Sequence, residues 1–117
     1  MVATLEQLRA ELEAQRESLA ADLAELDERA KQWVIGYKTH PADDGTRAFD
    51  QAAEQAMRRT IAHTLREIED ALARFEKGTY GICVNCERPI DIARLEAIPH
   101  TSLCMDCAEA RDYKNHR

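Results

Sequence analysis

Residues 83–107, CVNCERPIDIARLEAIPHTSLCMDC, decide the fold of the C-terminal part of this chain. They contain two Cys-x-x-Cys pairs, Cys83 with Cys86 and Cys104 with Cys107, separated by seventeen residues. A two-residue gap lets both thiolates of a pair turn toward one ion, and this interval between the pairs is typical of zinc sites. Four sulfurs complete a tetrahedron and leave no position for water or substrate. The spacing predicts one structural Zn²⁺ held by these four cysteines.

Other uses of the cysteines stay open at this point. Iron accepts a similar set of thiolates, and a Cys-x-x-Cys pair forms a redox-active dithiol when it opens a helix beside a parallel sheet. No alternation of strand and helix patterns supports the dithiol interpretation. The segment from Gly78 to about Arg117 is too short to fold on an apolar core alone, so we expect a metal ion to hold it together. A short helix is predicted from Cys104 to about Tyr113.

Upstream of this module, the sequence predicts a first long helix from Ala3 to about Val34. This stretch lacks glycine and proline, and large apolar residues repeat every seven positions, as in a coiled-coil seam: Leu5, Leu12, Leu19, Leu26 and Trp33. Thr4 followed by Gln7 predicts a capping box at its start. Gly36 predicts its end. A helix of this length would extend about 45 Å.

A second long helix is predicted to begin between Asp43 and Arg47 and to run to Lys77, where Gly78 ends it. Its apolar face is formed by Ile61, Ile68 and Phe75, with Phe49, Met57, Leu65 and Leu72 beside them. Two helices joined by roughly ten residues most simply fold back as an antiparallel pair. A hairpin used only as a spacer or as a dimerisation device is the alternative. The oligomeric state stays open, with a monomer favoured.

These patterns predict a mainly α protein with two parts. Residues 1–77 form an antiparallel two-helix coiled-coil hairpin with its tip near 36–46, and residues 78–117 form a small C4 zinc-finger module with a short C-terminal helix. The composition agrees with this fold, because 5% of the residues are aromatic and 32% are charged, a mixture that suits long helices.

The charge and the ends of the chain limit the partners. A formal net charge of −6 repels phosphate backbones and argues against direct binding of nucleic acid. Acidic residues occupy the N-terminal stretch where a secretory signal needs an apolar core, and no apolar run approaches membrane-spanning length. We therefore expect a cytoplasmic protein without a membrane partner. No set of nucleophile, base and orienting group is present, so we expect a protein that is not an enzyme.

The sequence is similar to a known family along nearly its whole length. The similarity is carried by Gly78-Thr79-Tyr80-Gly81-Ile82-Cys83-x-x-Cys86, Arg94-Leu95-Glu96-Ala97-x-Pro99, Leu103-Cys104-x-x-Cys107 and the loop His40-Pro41-Ala42-Asp43. These residues resemble the DksA/TraR family of bacterial transcription factors with a C4 zinc finger. The resemblance implies a protein that binds RNA polymerase directly through its secondary channel, with the coiled-coil tip near the active site, and that does not contact promoter DNA.

The resemblance also implies a functional motif at the tip. The family carries Asp-x-Ala there, and the matching positions are Asp43, Asp44 and Gly45, with glycine in place of alanine. A literal Asp-x-Ala, formed by Asp50 and Ala52 around a glutamine, is the second candidate. Asp43 and Asp44 also have a structural explanation, because short acidic side chains cap a helix start and complement its dipole.

Three further positions depart from the family. Members that respond to guanosine tetraphosphate use basic residues on the finger, whereas Ile98 precedes Pro99 here and Ala108 follows the last cysteine. We therefore expect little synergy with that nucleotide. Glu87 stands where the family usually has glycine.

Two alternative functions stay open. The second-ranked function is a structural zinc adaptor whose hairpin binds another protein complex, and the third-ranked is a redox-sensing zinc module.

Overall fold

The computed structural model describes the backbone of residues 4–39 and 44–115 and the side chains of residues 4–32 and 48–113. These residues form four helices: α1 (Leu5–Thr39), α2 (Asp44–Lys77), α3 (Ile92–Ala97) and α4 (Met105–Asn115). Within these ranges there is no strand, and the one isolated antiparallel bridge joins Ile82 to Pro89. The prediction of a mainly α fold with a short C-terminal helix is confirmed.

The chain groups into two compact units. The first unit combines Met1–Arg16 with Glu67–Arg117, and the second is Glu17–Arg66. This grouping follows spatial proximity and divides both long helices between the units. The predicted division into residues 1–77 and 78–117 follows the sequence instead, and it stays a prediction.

Helix α1 begins with the predicted capping box but ends later than predicted. The backbone amide of Thr4 donates to Oε1 of Gln7 at 2.9 Å, and the amide of Gln7 donates to Oγ1 of Thr4 at 3.1 Å. The prediction that Gly36 ends the helix is wrong, because α1 continues to Thr39. A glycine inside a helix costs only about 1 kcal/mol. The residue before a proline avoids the helical conformation, so Pro41 sets a firmer limit than Gly36.

Helix α2 begins and ends where the sequence predicts. It starts at Asp44, inside the expected window, and ends at Lys77. Gly78 follows with a φ of +74°, a conformation that glycine adopts without steric cost. The amide of Thr79 donates to the carbonyl of Arg74 at 2.9 Å, and the amide of Gly78 donates to the carbonyl of Phe75 at 3.2 Å. This is a Schellman motif, which satisfies carbonyls that the helix end leaves free.

In the unit Glu17–Arg66, the two helices run antiparallel. Arg58 forms an ion pair with Asp27 at 2.6 Å, and Arg29 forms one with Glu54, so residue numbers rise in one helix as they fall in the other. Leu26 is the one buried residue among the side chains described for this unit.

Two residues that the sequence placed beside the seam of α2 are exposed instead. Phe49 is 75% exposed and Met57 is 55% exposed, so this part of the prediction is wrong. Nine residues separate Phe49 from Arg58, which is about half a turn of rotation about the helix axis at 3.6 residues per turn. Because Arg58 contacts α1, Phe49 lies on the opposite face.

In the unit that combines Met1–Arg16 with Glu67–Arg117, apolar side chains of α1 and α2 are buried. The buried residues of α1 and α2 in this unit are Leu8, Leu12, Ile68, Ala71 and Leu72. Phe75 stacks on Tyr80 with ring centroids 3.9 Å apart, and the guanidinium of Arg9 lies 5.7 Å from the centre of the Phe75 ring. Arg9 also pairs with Glu76. The start of α1, the end of α2 and the first residues of the finger therefore share one core.

Over the part of the chain that the structure describes, no helix combines the length and the apolar character that crossing a membrane requires.

Candidate metal centre

The first cysteine pair lies in a tight backbone turn. The amide of Cys83 donates to the carbonyl of Arg88 at 2.8 Å, and the amide of Glu87 donates to the carbonyl of Cys83 at 3.0 Å. Glu87 has a φ of +64°, in the left-handed region. The turn therefore keeps a conformation suited to glycine, at a cost of about 1–2 kcal/mol for a residue with a Cβ.

The segment before the second cysteine pair is held by an arginine of α3. Nε of Arg94 donates to the carbonyl of Leu103 at 2.8 Å, and Nη2 of the same residue lies 3.3 Å from Oγ1 of Thr101. Leu95, the next residue of α3, is buried. The sequence pattern alone does not predict this role of Arg94, although the residue belongs to the Arg-Leu-Glu-Ala motif. Arg94 positions the chain that leads into Cys104.

The second cysteine pair lies at the start of α4. The amide of Ala108 donates to the carbonyl of Cys104 at 2.9 Å, which places Cys104 at the helix N-terminus and Cys107 in the first turn. The positive end of a helix dipole stabilises negative charge on nearby thiolates.

The two turns bring all four cysteines together. Their Sγ atoms lie within 4.8 Å of one another, and among the described residues no other group of His, Cys, Asp or Glu forms such a cluster. The Sγ atoms of Cys86 and Cys104 are 3.7 Å apart. Four sulfurs at 2.3 Å from a tetrahedral zinc ion would be separated by about 3.8 Å. The separation of Cys86 and Cys104 matches this value, and the limit of 4.8 Å places all four sulfurs close enough together to bind one ion.

The pKa values of two of the cysteines are shifted in opposite directions. Hydrogen bonding from the backbone amide of Cys86, with those of Cys104 and Asn85, lowers the pKa of Cys83 to about 6. A hydrogen bond from Asn85 acts to lower the pKa of Cys107, but the sulfurs of Cys104, Cys83 and Cys86 raise it to about 12. Four such neighbours carry four negative charges together only beside a cation. The donor set therefore fits a thiophilic divalent metal.

The candidate tip residues are less completely defined. Asp43 lies outside the described residues. Asp44 and Gly45 are the first residues of α2, and their side chains lie outside the described set. Asp50 and Ala52 are exposed residues of α2.

A two-helix hairpin joined to a four-sulfur module defines a class of small helical zinc-finger proteins. Residues 78–113 match the family model described as "Prokaryotic dksA/traR C4-type zinc finger". Residues 78–113 therefore carry a C4 zinc finger of the DksA/TraR type, and the chain is similar to proteins of that family. The cofactor of this finger is one structural zinc ion.

Several curated proteins are similar to the chain. An uncharacterised protein of Aquifex aeolicus is 59% identical over 46 residues, which cover 39% of this chain and 32% of that protein. General stress protein 16O of Bacillus subtilis is 30% identical over 90 residues, 77% of this chain and 51% of that protein. The RNA polymerase-binding transcription factor DksA of Caulobacter vibrioides is 34% identical over 71 residues, 61% of this chain and 50% of that protein. The matched part therefore spans about half of these relatives or less.

A solved structure is similar over most of the chain. The transcription factor DksA2 from Pseudomonas aeruginosa superimposes with a TM-score of 0.59 and 23% identity, covering 92% of this chain and 88% of that one. This similarity supports the fold: a helical hairpin with an attached C-terminal module.

Proposed function

We propose that this chain is a transcription regulator that binds RNA polymerase directly, through the secondary channel, with the tip of its coiled coil near the active site. The observation that carries the proposal is the DksA/TraR finger at residues 78–113, joined to a two-helix hairpin. Curated relatives that are 34–35% identical over 61–62% of this chain are named RNA polymerase-binding transcription factors.

In this proposal Cys83, Cys86, Cys104 and Cys107 hold the zinc ion. Their mutual distances support the assignment. The ion joins the turn after α2 to the start of α4, and it supplies a rigid link between two segments that have little apolar core of their own. Because four thiolates leave no open coordination position, the proposed role of the ion is structural. The proposed function is regulation by binding, without enzymatic activity.

The charge of the chain supports binding to protein rather than to promoter DNA. At −6 the net charge opposes the phosphate contacts on which DNA affinity depends. The proposed location is the cytoplasm, where polymerase acts, and no membrane partner is proposed. The favoured state of the free protein is a monomer.

The proposed tip consists of Asp43, Asp44 and Gly45, with Asp50 and Ala52 as the second candidate. A carboxylate near the polymerase active site would change transcription, whereas binding would depend on the helices and the finger. Asp43→Asn is therefore expected to impair transcriptional output much more than polymerase binding. Since asparagine caps a helix nearly as well as aspartate, a role limited to capping predicts almost no effect.

The test combines a binding measurement with a transcription measurement on purified core polymerase. Wild-type protein should bind, Asp43→Asn should bind with lost output, and Asp50→Asn is the comparison. Lost output for Asp50→Asn alone would move the active tip to that residue. Unchanged output for both would remove the support for a tip function.

The same experiment separates the alternative function and the nucleotide response. Absence of polymerase binding, together with a different stable complex in co-purification, would favour a structural zinc adaptor. Guanosine tetraphosphate should add little to the effect, because neither Ile98 nor Ala108 carries a cationic group. Strong synergy in the purified assay would contradict that expectation.

A further inference from the structure

A residue between the first two cysteines contacts a sulfur of the second pair. Nδ2 of Asn85 lies 3.3 Å from Sγ of Cys107, twenty-two residues further along the chain. An amide nitrogen donates and a thiolate only accepts, so the hydrogen bond runs from the amide to the sulfur. The side-chain amide of Asn85 therefore links the turn of the first cysteine pair to a sulfur of the second pair.

The donor of this hydrogen bond belongs to a side chain, so a substitution can remove it. Cys107 accepts from the side chain of Asn85. Position 85 therefore allows the environment of one sulfur to be changed while all four cysteines are kept.

We propose that Asn85 is a positioning residue of the metal centre, whose amide orients the Cys107 thiolate and draws negative charge from its sulfur. This inference rests on the proposed assignment of the four cysteines as zinc ligands. Hydrogen-bond partners of metal ligands fix the orientation of those ligands, and their loss typically lowers metal affinity about 10–100-fold.

The sulfurs of the centre are partly exposed to solvent, so a hydrogen-bond donor beside them affects how tightly the metal is held. Cys86 is exposed, and Cys104 and Cys107 are half-buried, so water and protons reach the sulfurs. A zinc ion with four thiolates carries a net charge of −2, in a chain that is already acidic. A donor aimed at one of these sulfurs offsets part of that charge, and an anion in the same place would add to it.

The first test measures zinc retention by the full chain against a chromophoric chelator. Asn85→Ala removes the donor, and Asn85→Asp replaces it with a carboxylate of nearly the same shape. Arg88→Gln is the matched control, because Arg88 is exposed in the same turn and its loss changes the net charge by the same amount as Asn85→Asp. Asn85→Ala should lower the affinity for zinc about tenfold and Asn85→Asp by more. Arg88→Gln should leave it within about twofold of wild type, since it removes no contact to sulfur.

The second test uses Co²⁺ in place of zinc, because its thiolate-to-metal charge-transfer absorption reports the electron density on sulfur. Loss of the hydrogen bond raises the energy of the sulfur electrons, so this absorption should move to longer wavelength in Asn85→Ala and stay in place in Arg88→Gln. If Asn85 only supported the fold of the turn, affinity would fall without a shift.

The outcomes separate the inference from the ligand assignment. Wild-type affinity with an unshifted absorption in Asn85→Ala, or weakened affinity with an unshifted absorption, would overturn the role of Asn85. A wild-type chain that binds no zinc and gives no tetrahedral cobalt spectrum would overturn the ligand assignment itself. If Asn85→Ala fails to fold, the absorption of cobalt-loaded Asn85→Asp decides, because its carboxylate cannot donate.

Discussion

The two compact units of this chain are stabilised by different interactions. The unit with the finger buries apolar side chains such as Leu12 and Ile68, each contributing about 1.5–3 kcal/mol. In the unit Glu17–Arg66, Leu26 is the one buried residue among the described side chains, and ion pairs such as Arg58 with Asp27 link the helices. Exposed ion pairs contribute about 0–1 kcal/mol. A heptad pattern along both helices therefore does not ensure equal burial along their lengths.

The largest expected effect comes from removing the metal. Cys104→Ser, or treatment with a strong chelator, should unfold residues 78–113, because zinc binding contributes about 10–16 kcal/mol to the folding of isolated finger peptides. Much of the helical signal from Glu17–Arg66 should remain. Elemental analysis, circular dichroism and limited proteolysis measure these changes. Metal-free protein with a protease-resistant C-terminus would show that the finger does not need the ion.

A smaller effect is expected from truncating one leucine in each unit. Leu12→Ala should lower the free energy of unfolding by about 3–4 kcal/mol, because Leu12 is fully buried and its loss leaves a cavity. Leu26→Ala should cost about 2 kcal/mol, since few buried neighbours surround it and the site can relax. Urea unfolding of the zinc-loaded protein measures both. Equal losses would contradict the difference in packing between the units.

The turn at Glu87 offers a gain in stability. Glu87→Gly should raise the free energy of unfolding by about 0.5–1 kcal/mol, because relief of the left-handed strain exceeds the added flexibility of the unfolded chain. Gly78→Ala is the matched reverse change, at a φ of +74° with no atom within 4 Å of the added Cβ. It should lose about 1 kcal/mol. Thermal unfolding at constant zinc measures both, and a destabilised Glu87→Gly would indicate that the glutamate side chain makes a stabilising contact.

The smallest effect concerns the ion pair between the helices. A double-mutant cycle on Asp27→Ala and Arg58→Ala should give a coupling free energy of about 0.5 kcal/mol that falls as salt is added. Chemical unfolding at low and high ionic strength provides the measurement. A coupling above about 2 kcal/mol would mean that polar contacts, rather than packing, hold the unit Glu17–Arg66 together.

The sequence predicted the features that local chemistry determines. The capping box at Thr4, the end of α2 at Gly78 and the gathering of four sulfurs each depend on a few neighbouring residues whose geometry allows few alternatives. The short helix after Cys104 follows from helix-forming residues in the same way.

Other features depended on packing that a periodic pattern does not contain. Phe49 matched a hydrophobic stripe, but it is exposed and lies about half a turn of α2 away from Arg58, which contacts Asp27 of α1. Arg94 and Asn85 had no spacing rule to mark them, because their partners lie nine and twenty-two residues away in the chain and meet them only after the finger has folded. Gly36 does not end α1, because a single glycine inside a helix is a weak interruption.

The unit with the finger is built from two segments that lie far apart in the chain, and this affects folding during synthesis on the ribosome. Residues 4–16 leave the ribosome before their partners, which begin at Glu67, and Arg9 and Glu76 are separated by 67 positions. At about 5–20 residues per second, the intervening fifty or so residues take roughly 3–10 s to translate. The two helices within Glu17–Arg66 can pair during this delay, while the apolar side chains of Leu8 and Leu12 are still exposed to solvent. Leu8 and Leu12 are therefore buried only after Glu67 and the residues that follow it have been made.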